Sequence, residues 1–226
     1  MNVPLEDDFS RPLKIKYVIH LEMLIPDCFE KCSIVPKGII HVGAHMCEER
    51  QIYEKAGCDD TKVVWIEGNP QLCRSISHNF PSVKVYHGLI SDKEEDVNFI
   101  VTNNGQSSSF LELKEHKLQH PDVYEIGRIK LRTTTLPELL NRNSIDITNY
   151  DCLMMDIQGA ELHALRGMKD ILSGFRLIYL EVNVKEIYAE CGQLSEIIDF
   201  LQPYGFIMRD INMTHYGWGD AVFVRH

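Results

Sequence analysis

The chain has 226 residues, enough for one domain with a full hydrophobic core. Its 44% hydrophobic and 25% charged content is that of an ordinary soluble globular protein. Lys+Arg 23 against Asp+Glu 33 gives a net charge of −10, which argues against a broad nucleic-acid or anionic-membrane footprint but leaves room for a local basic pocket.

Seven cysteines, an odd number, are scattered without a CxxC pair. They read as reduced thiols rather than a zinc or disulfide framework, and so predict a cytoplasmic location. The first residues, Met1 to Asp8, are acidic and lack the apolar core of a signal peptide. No apolar run is long enough to span a bilayer, so no membrane insertion is expected.

Residues 1–35 read as an N-terminal extension with one amphipathic segment around Val18–Phe29, ahead of a domain over 36–226. Alternation then begins: strand Gly38–Val42, helix Cys47–Ala56, strand Lys62–Ile66, helix Gln71–Asn79 and strand Val83–His87. Val97–Thr102 and Ile129–Thr134 are β-rich and separated by a polar insertion over 103–127. A short helix, Leu136–Leu140, carries Pro137 in its first turn. Strand Cys152–Met155, helix Ala160–Leu172, strand Leu177–Val182 and helix Leu194–Leu201 follow, with closing strands near Phe206–Arg209 and Ala221–Val224. Strands alternating with helices predict an α/β domain, a mainly parallel sheet covered on both faces.

Three positions at strand ends carry chemistry. Asp156 follows the apolar run Cys152–Met155 and precedes Gly159 and a helix. It therefore falls at the carboxyl edge of the sheet, where open α/β folds bind ligands, and the helix start beyond it leaves backbone N–H groups free. A plain tight turn would use the same residues. Gly43 ends the first strand and permits close backbone approach, although the full G-x-G-x-x-G of a pyrophosphate cradle is absent. Glu67 ends the second strand 24 positions later, where a carboxylate can accept hydrogen bonds from a ribose diol or simply face solvent.

Four blocks in this order carry a resemblance: His41-Val-Gly-Ala-His45, Trp65-Ile-Glu-Gly-Asn-Pro70, Asn104-Gly-Gln-Ser-Ser-Ser109 and Met155-Asp-Ile-Gln-Gly-Ala-Glu-Leu162. With the threonine-leucine segment 131–140, they make the chain resemble the FkbM-type S-adenosylmethionine-dependent methyltransferases, a branch of the class I Rossmann-like methyltransferases. The likeness runs from about Gly38 to Phe206. It implies a doubly wound, seven-stranded, mainly parallel sheet whose last strand is antiparallel. It further implies that Gly43 and His45 border the methionine part of the cofactor. Glu67 would bind the ribose, with Gly68 and Asn69 beside the adenine, and Ile90, Ser91 and Asp92 would close the adenine pocket. Asp156 and Gln158 would face the transferred methyl group. Cys47 stands where the family usually has glycine, implying a loop set slightly farther from the cofactor. His41 takes the place of the family's acid or histidine before the glycine loop.

Methyl transfer from a sulfonium is an in-line displacement, so the protein's task is alignment plus a base for the acceptor hydroxyl. Asp156 is the first candidate base. His45, with an ordinary pKa near neutrality, is the second, its alternative being to pack against the cofactor. Asp156, Glu181 and Asn183, on adjacent strand ends, would suit a hard cation such as Mg²⁺, or else substrate hydrogen bonding. In the insertion, Asn103, Ser107 and Ser108, with His116 and His120 nearby, suit a polyhydroxylated acceptor. Aromatics of the tail, Tyr216 and Trp218, suit sugar stacking or packing on the sheet edge. The leading expectation is an O-methyltransferase acting on a sugar hydroxyl of a glycan. Its rivals are a methyltransferase of a natural product such as a macrolide, an NAD-dependent oxidoreductase, and a binding module without catalysis. A small-molecule or glycan acceptor is the expected partner, with a fused or partner glycosyltransferase as a further candidate and no nucleic acid.

Overall fold

The computed structural model describes residues 25–225, so residues 1–24, and with them most of the expected amphipathic segment, lie outside the described residues. Its parallel core is β1 (Ile39–Val42), β2 (Val63–Glu67), β3 (Val85–His87), β7 (Cys152–Met155) and β8 (Leu177–Asn183). The closing pair is β9 (Phe206–Met213) and β10 (Trp218–Arg225). These seven strands form one sheet in the order β3-β2-β1-β7-β8-β10-β9. The first five are mutually parallel, and β10 runs antiparallel to both neighbours. This is the sheet implied above, including its antiparallel last strand.

The apolar runs explain the sheet's burial on both faces. Side chains alternate along each strand. Ile40, Val42, Leu153 and Met155 join one core cluster with Leu136 and Leu139 of α5 (Leu136–Arg142), Leu165 of α6 (Glu161–Gly167) and Ile197 of α7 (Leu194–Leu201). Ile39, Val63, Trp65 and Met154 join the other, with Tyr53 of α2 (Arg50–Lys55) and Ile76 of α3 (Pro70–Asn79). Phe29 of α1 (Ile25–Lys31) and Ile34 also pack in this second cluster, so the chain already joins the core before residue 35.

Three boundaries differ from expectation. The helix predicted from Cys47 starts only at Arg50, because residues 44–49 form turns in which His45 (φ 42°) and Cys47 (φ 58°) are left-handed. The helix predicted to reach Leu172 ends at Gly167, where a side chain would strike the Ser91 carbonyl at 2.3 Å. The closing strands are longer than their apolar runs because they pair with each other over nearly their whole length.

A second, three-stranded sheet stands beside the first: β4 (Leu89–Ile90), β5 (Asp96–Thr102) and β6 (Glu125–Thr134), in the order β4-β6-β5. The insertion joins β5 to β6 and closes on itself, since Asn103 Nδ2 donates to the Asp122 carbonyl and its Oδ1 accepts from Tyr124 N–H. It contains α4 (His116–Gln119), and the N–H groups of Lys114 and His116 both donate to the Ile187 carbonyl. Leu111 and Leu113 pack with Tyr188 and Cys191 in a third apolar cluster. The long loop is thus fastened over the carboxyl edge of the main sheet rather than left as a solvated excursion.

Candidate active site

β1 delivers the chain to the glycine loop. Gly43 has φ 94°, and a Cβ there would lie 1.8 Å from the Asp156 carbonyl oxygen. Only glycine fits so close an approach. The loop is tied on both sides, because Gly43 N–H donates to the Ile66 carbonyl and Asp156 N–H to that of Val42. Behind it, the buried His41 ring lies 4.7 Å from the Trp65 ring, and its Nδ1 is 2.7 Å from the Tyr53 hydroxyl. Burial lowers the His41 pKa to about 4, so this histidine supports the loop as a neutral group. Cys47 is buried in the core beneath, its thiol pushed up to about 12 by desolvation, and it does not line the cavity above.

Glu67, the last residue of β2, is fixed by backbone donors from two loops. Its Oε1 accepts from Asn69 N–H at 2.7 Å and its Oε2 from His45 N–H at 2.8 Å. Burial raises its pKa, and these two hydrogen bonds pull against that rise by favouring the charged form. A carboxylate offers about four lone-pair sites, so two acceptor positions stay available. The His45 ring is held by Glu48, with Nδ1 2.6 Å from Oε1, and this contact raises the histidine's pKa. A proton held so firmly opposes service as a base.

Above these loops lie two adjoining cavities. One is bounded by Glu67, Gly68, Leu72, Leu89, Ile90 and Phe99. The other is bounded by Glu181, Asp220, His116, His120, Tyr188 and Trp218. They meet along Gly43, His45, Gln106, Asp156 and Gln158, which line both.

At this junction the chain turns sharply through Gln158 (φ 57°) and Gly159 (φ 94°). The amide of Gln158 is oriented by Tyr188, whose hydroxyl donates to Oε1 at 2.6 Å. Its Nε2 then points at two carboxyls, donating to Asp156 Oδ1 at 2.6 Å and to Glu181 Oε2 at 3.1 Å. Asp156 is open to the cavity yet set deep in the protein. Desolvation raises its pKa, with the Gln158 bond acting in the opposite direction. Glu181 is raised well above the usual range by burial and by the neighbouring Asp156. Asp220 on β10 is pushed up to about 7 by the same two causes. Glu161 is fully enclosed and stands at about 8, burial again leading. Its Oε1 accepts from Ile157 N–H and Gly159 N–H, so the free backbone donors expected at this turn are already taken.

Of the residues singled out from sequence, Gly43, His45, Glu67, Gly68, Ile90, Ser108, Asp156 and Gln158 share the first cavity, and Ser107 and Glu181 line the second. Four line neither. Asn69 caps α3, accepting from Gln71 N–H. Ser91 is buried and donates to Asp92. Asn103 closes the insertion. Asn183 is fully buried, its amide atoms without a hydrogen-bond partner. The expected cation site is not supported: the Gln158 amide N–H group, itself a donor, bridges the Asp156 and Glu181 carboxyls. Among the described residues no group of three or more His, Cys, Asp or Glu is placed to hold a metal. Sequence reading missed Leu72, Phe99, Gln106, Tyr188 and Asp220. Only Asp220, a charge inside an apolar strand, gave a signal.

The profile of the methyltransferase FkbM domain matches residues 41–208 of this chain. The 2-O-methyltransferase NoeI of Sinorhizobium fredii is 25% identical over 142 residues, which cover 60% of this chain and 58% of that protein, less than two thirds of its length. Among solved structures, the precorrin-6y C5,15-methyltransferase of Geobacter metallireducens is similar with a TM-score of 0.48 at 11% identity, over 94% of this chain and 95% of that chain. The magnesium protoporphyrin IX methyltransferase of Synechocystis has a TM-score of 0.48 at 9% identity, covering 89% of this chain and 80% of that chain. Among the described residues no helix is long and apolar enough to cross a membrane.

Proposed function

The chain belongs to the FkbM methyltransferase domain family, and from that premise we propose that it moves a methyl group from S-adenosylmethionine to a hydroxyl of a sugar. The observation that carries this reading is the shared wall of the two cavities, which puts a cavity-facing, proton-affine carboxyl between the Glu67 carboxylate and a polar second chamber.

The residues of the first cavity fit that cofactor. Glu67 is a fixed acceptor for a ribose diol, and Leu72, Leu89, Ile90 and Phe99 offer apolar faces to an adenine. Gly43 and Gly68 bring bare backbone to the chamber, since a Cβ at Gly68 would lie 2.9 Å from the Leu89 side chain. When bound, the cofactor supplies a methyl group already activated on a sulfonium. The chain's own residues do the rest. Asp156 takes the hydroxyl proton as the acceptor oxygen attacks. Gln158, locked by Tyr188, holds the carboxyl in one orientation. Desolvation, with the Glu49 carboxyl adding to it, raises the affinity of Asp156 for a proton, which suits a base. His45, tied to Glu48, acts through its backbone N–H on Glu67.

Transfer to oxygen is favoured by the carboxyl base and by the name of the curated relative, a 2-O-methyltransferase. A sugar is favoured by the hydroxyl, amide and imidazole groups that the insertion brings to the second cavity. The direct test is calorimetric titration with S-adenosylhomocysteine, with NAD as control. Micromolar binding of the first and none of the second is the expected result, and Glu67→Ala should weaken it about tenfold or more by removing two or three charged hydrogen bonds. Unchanged affinity in that variant would remove Glu67 from the site. Binding of NAD alone would replace the methyltransferase reading with the oxidoreductase one.

A further inference from the structure

The second cavity has a composition that the reaction alone does not require. Five carboxyl groups line it, those of Glu48, Glu49, Asp156, Glu181 and Asp220, and among the described residues no lysine or arginine does. Its outer wall is a run of rings: His116 lies 5.5 Å from Tyr188 and 5.0 Å from His120, and His120 lies 6.5 Å from Trp218. His116 is 6% exposed, and its Nδ1 is buried without a hydrogen-bond partner. An imidazole nitrogen left unpaired in a cavity wall invites a ligand group, because a buried unsatisfied polar atom is costly. Burial lowers the pKa of this histidine to about 4, so it meets a ligand uncharged, as one donor and one acceptor.

From the orphaned His116 nitrogen, the ring wall and the all-acidic floor, we infer that this cavity selects an uncharged polyhydroxylated ring, seated on His116, His120 and Trp218. Acceptors carrying phosphate or carboxylate on that ring are rejected, because among the described residues no lysine or arginine lines the cavity to pair their charge. The inference deepens the sugar reading above and rests on it for the reaction. Flat ring faces receive the apolar face of a sugar, and the nitrogen pairs with one hydroxyl. Rejection of anions follows from bringing a charge among carboxyl groups with no free cation to pair it, the His45 ring being already tied to Glu48.

The test is saturation-transfer NMR on the full chain with neutral methyl pyranosides of the gluco, galacto, manno and fuco series. Their matched uronic acids, their 6-phosphates and glucosamine serve as competitors. At least one neutral ring should give signal and its anionic counterparts none. His116→Phe, which keeps the ring packing and removes the nitrogens, should weaken binding about fivefold to tenfold. Val123→Arg places a cation on the loop at the cavity wall and should let the matched uronic acid bind. This variant serves even if His116→Phe fails to fold. Anionic rings binding as well as neutral ones in the wild type, glucosamine binding in preference, or no neutral ring binding at all would overturn the inference. S-adenosylhomocysteine affinity, measured on the same samples, separates the two levels. If it persists while every ring fails, only the acceptor inference falls; if it too is absent, the methyl-transfer reading falls.

Discussion

Glu67 and Asp156 are acids on the same sheet edge, at the ends of strands that flank β1 on opposite sides, yet their surroundings differ. Glu67 receives two backbone N–H groups, so its charge is stabilised and its oxygens are fixed acceptors. At Asp156 desolvation leads and the Glu49 carboxyl adds to it, against the Gln158 amide, so its affinity for a proton rises. Residue type and position in the fold are shared. Burial raises the proton affinity of both, and what differs is what acts beside it: backbone donors from Asn69 and His45 at Glu67, the Gln158 amide and the Glu49 carboxyl at Asp156.

The sharpest way to break this comparison is Asp156→Asn, which keeps shape and removes the base. Turnover should fall about 10²- to 10⁴-fold while S-adenosylhomocysteine affinity stays near that of the wild type. Near-normal turnover would show that the crowded carboxyl does not take the proton. Gly43→Ala comes next, because it attacks the joint that holds both acids in place. Its Cβ would meet the Asp156 carbonyl in a left-handed backbone, so a loss of about 3 kcal/mol is expected, read as a lower thermal midpoint together with lost cofactor binding. An unchanged melting curve would mean that the two loops can part without cost.

The smallest effect tests the acid cluster itself. Glu161 titrates near 4.5 when unfolded and at about 8 when folded, so the folded state binds the extra proton between those values. Stability from this group is therefore complete below about pH 4.5 and is lost as pH rises through about 8. Glu161→Gln cannot follow that change while its amide oxygen can still accept the backbone N–H groups. Against the wild type, the variant should gain on the order of 1 kcal/mol or more across that window, measured by denaturant unfolding at several pH values. A difference that does not vary with pH would show that Glu161 keeps one protonation state throughout.

Much of the frame was legible because it rests on local regularity. Ile39–Val42 and Cys152–Met155 are unbroken apolar runs, and strands buried on both faces need nothing else. Gly43, Glu67 and Asp156 were legible because strand ends are where such folds place ligands. The misreadings have local causes as well. Asn69-Pro70 is a helix-start signature, and the structure uses Asn69 as a cap rather than as cavity wall. The helix start at Arg50 was hidden because His45 and Cys47 adopt left-handed backbone that non-glycine residues rarely take.

The sequence by itself determined the alternating architecture, the order of its elements and the three strand ends that carry chemistry, because periodicity and strand-end position are properties of neighbouring residues. Only the tertiary structure decided what surrounds each acid. That depends on Tyr188 reaching Gln158 across 30 residues, Gln158 reaching Glu181 across 23, and Asp220 arriving on the antiparallel last strand. A pKa is set by what stands within a few ångströms in space, and no spacing along the chain encodes that.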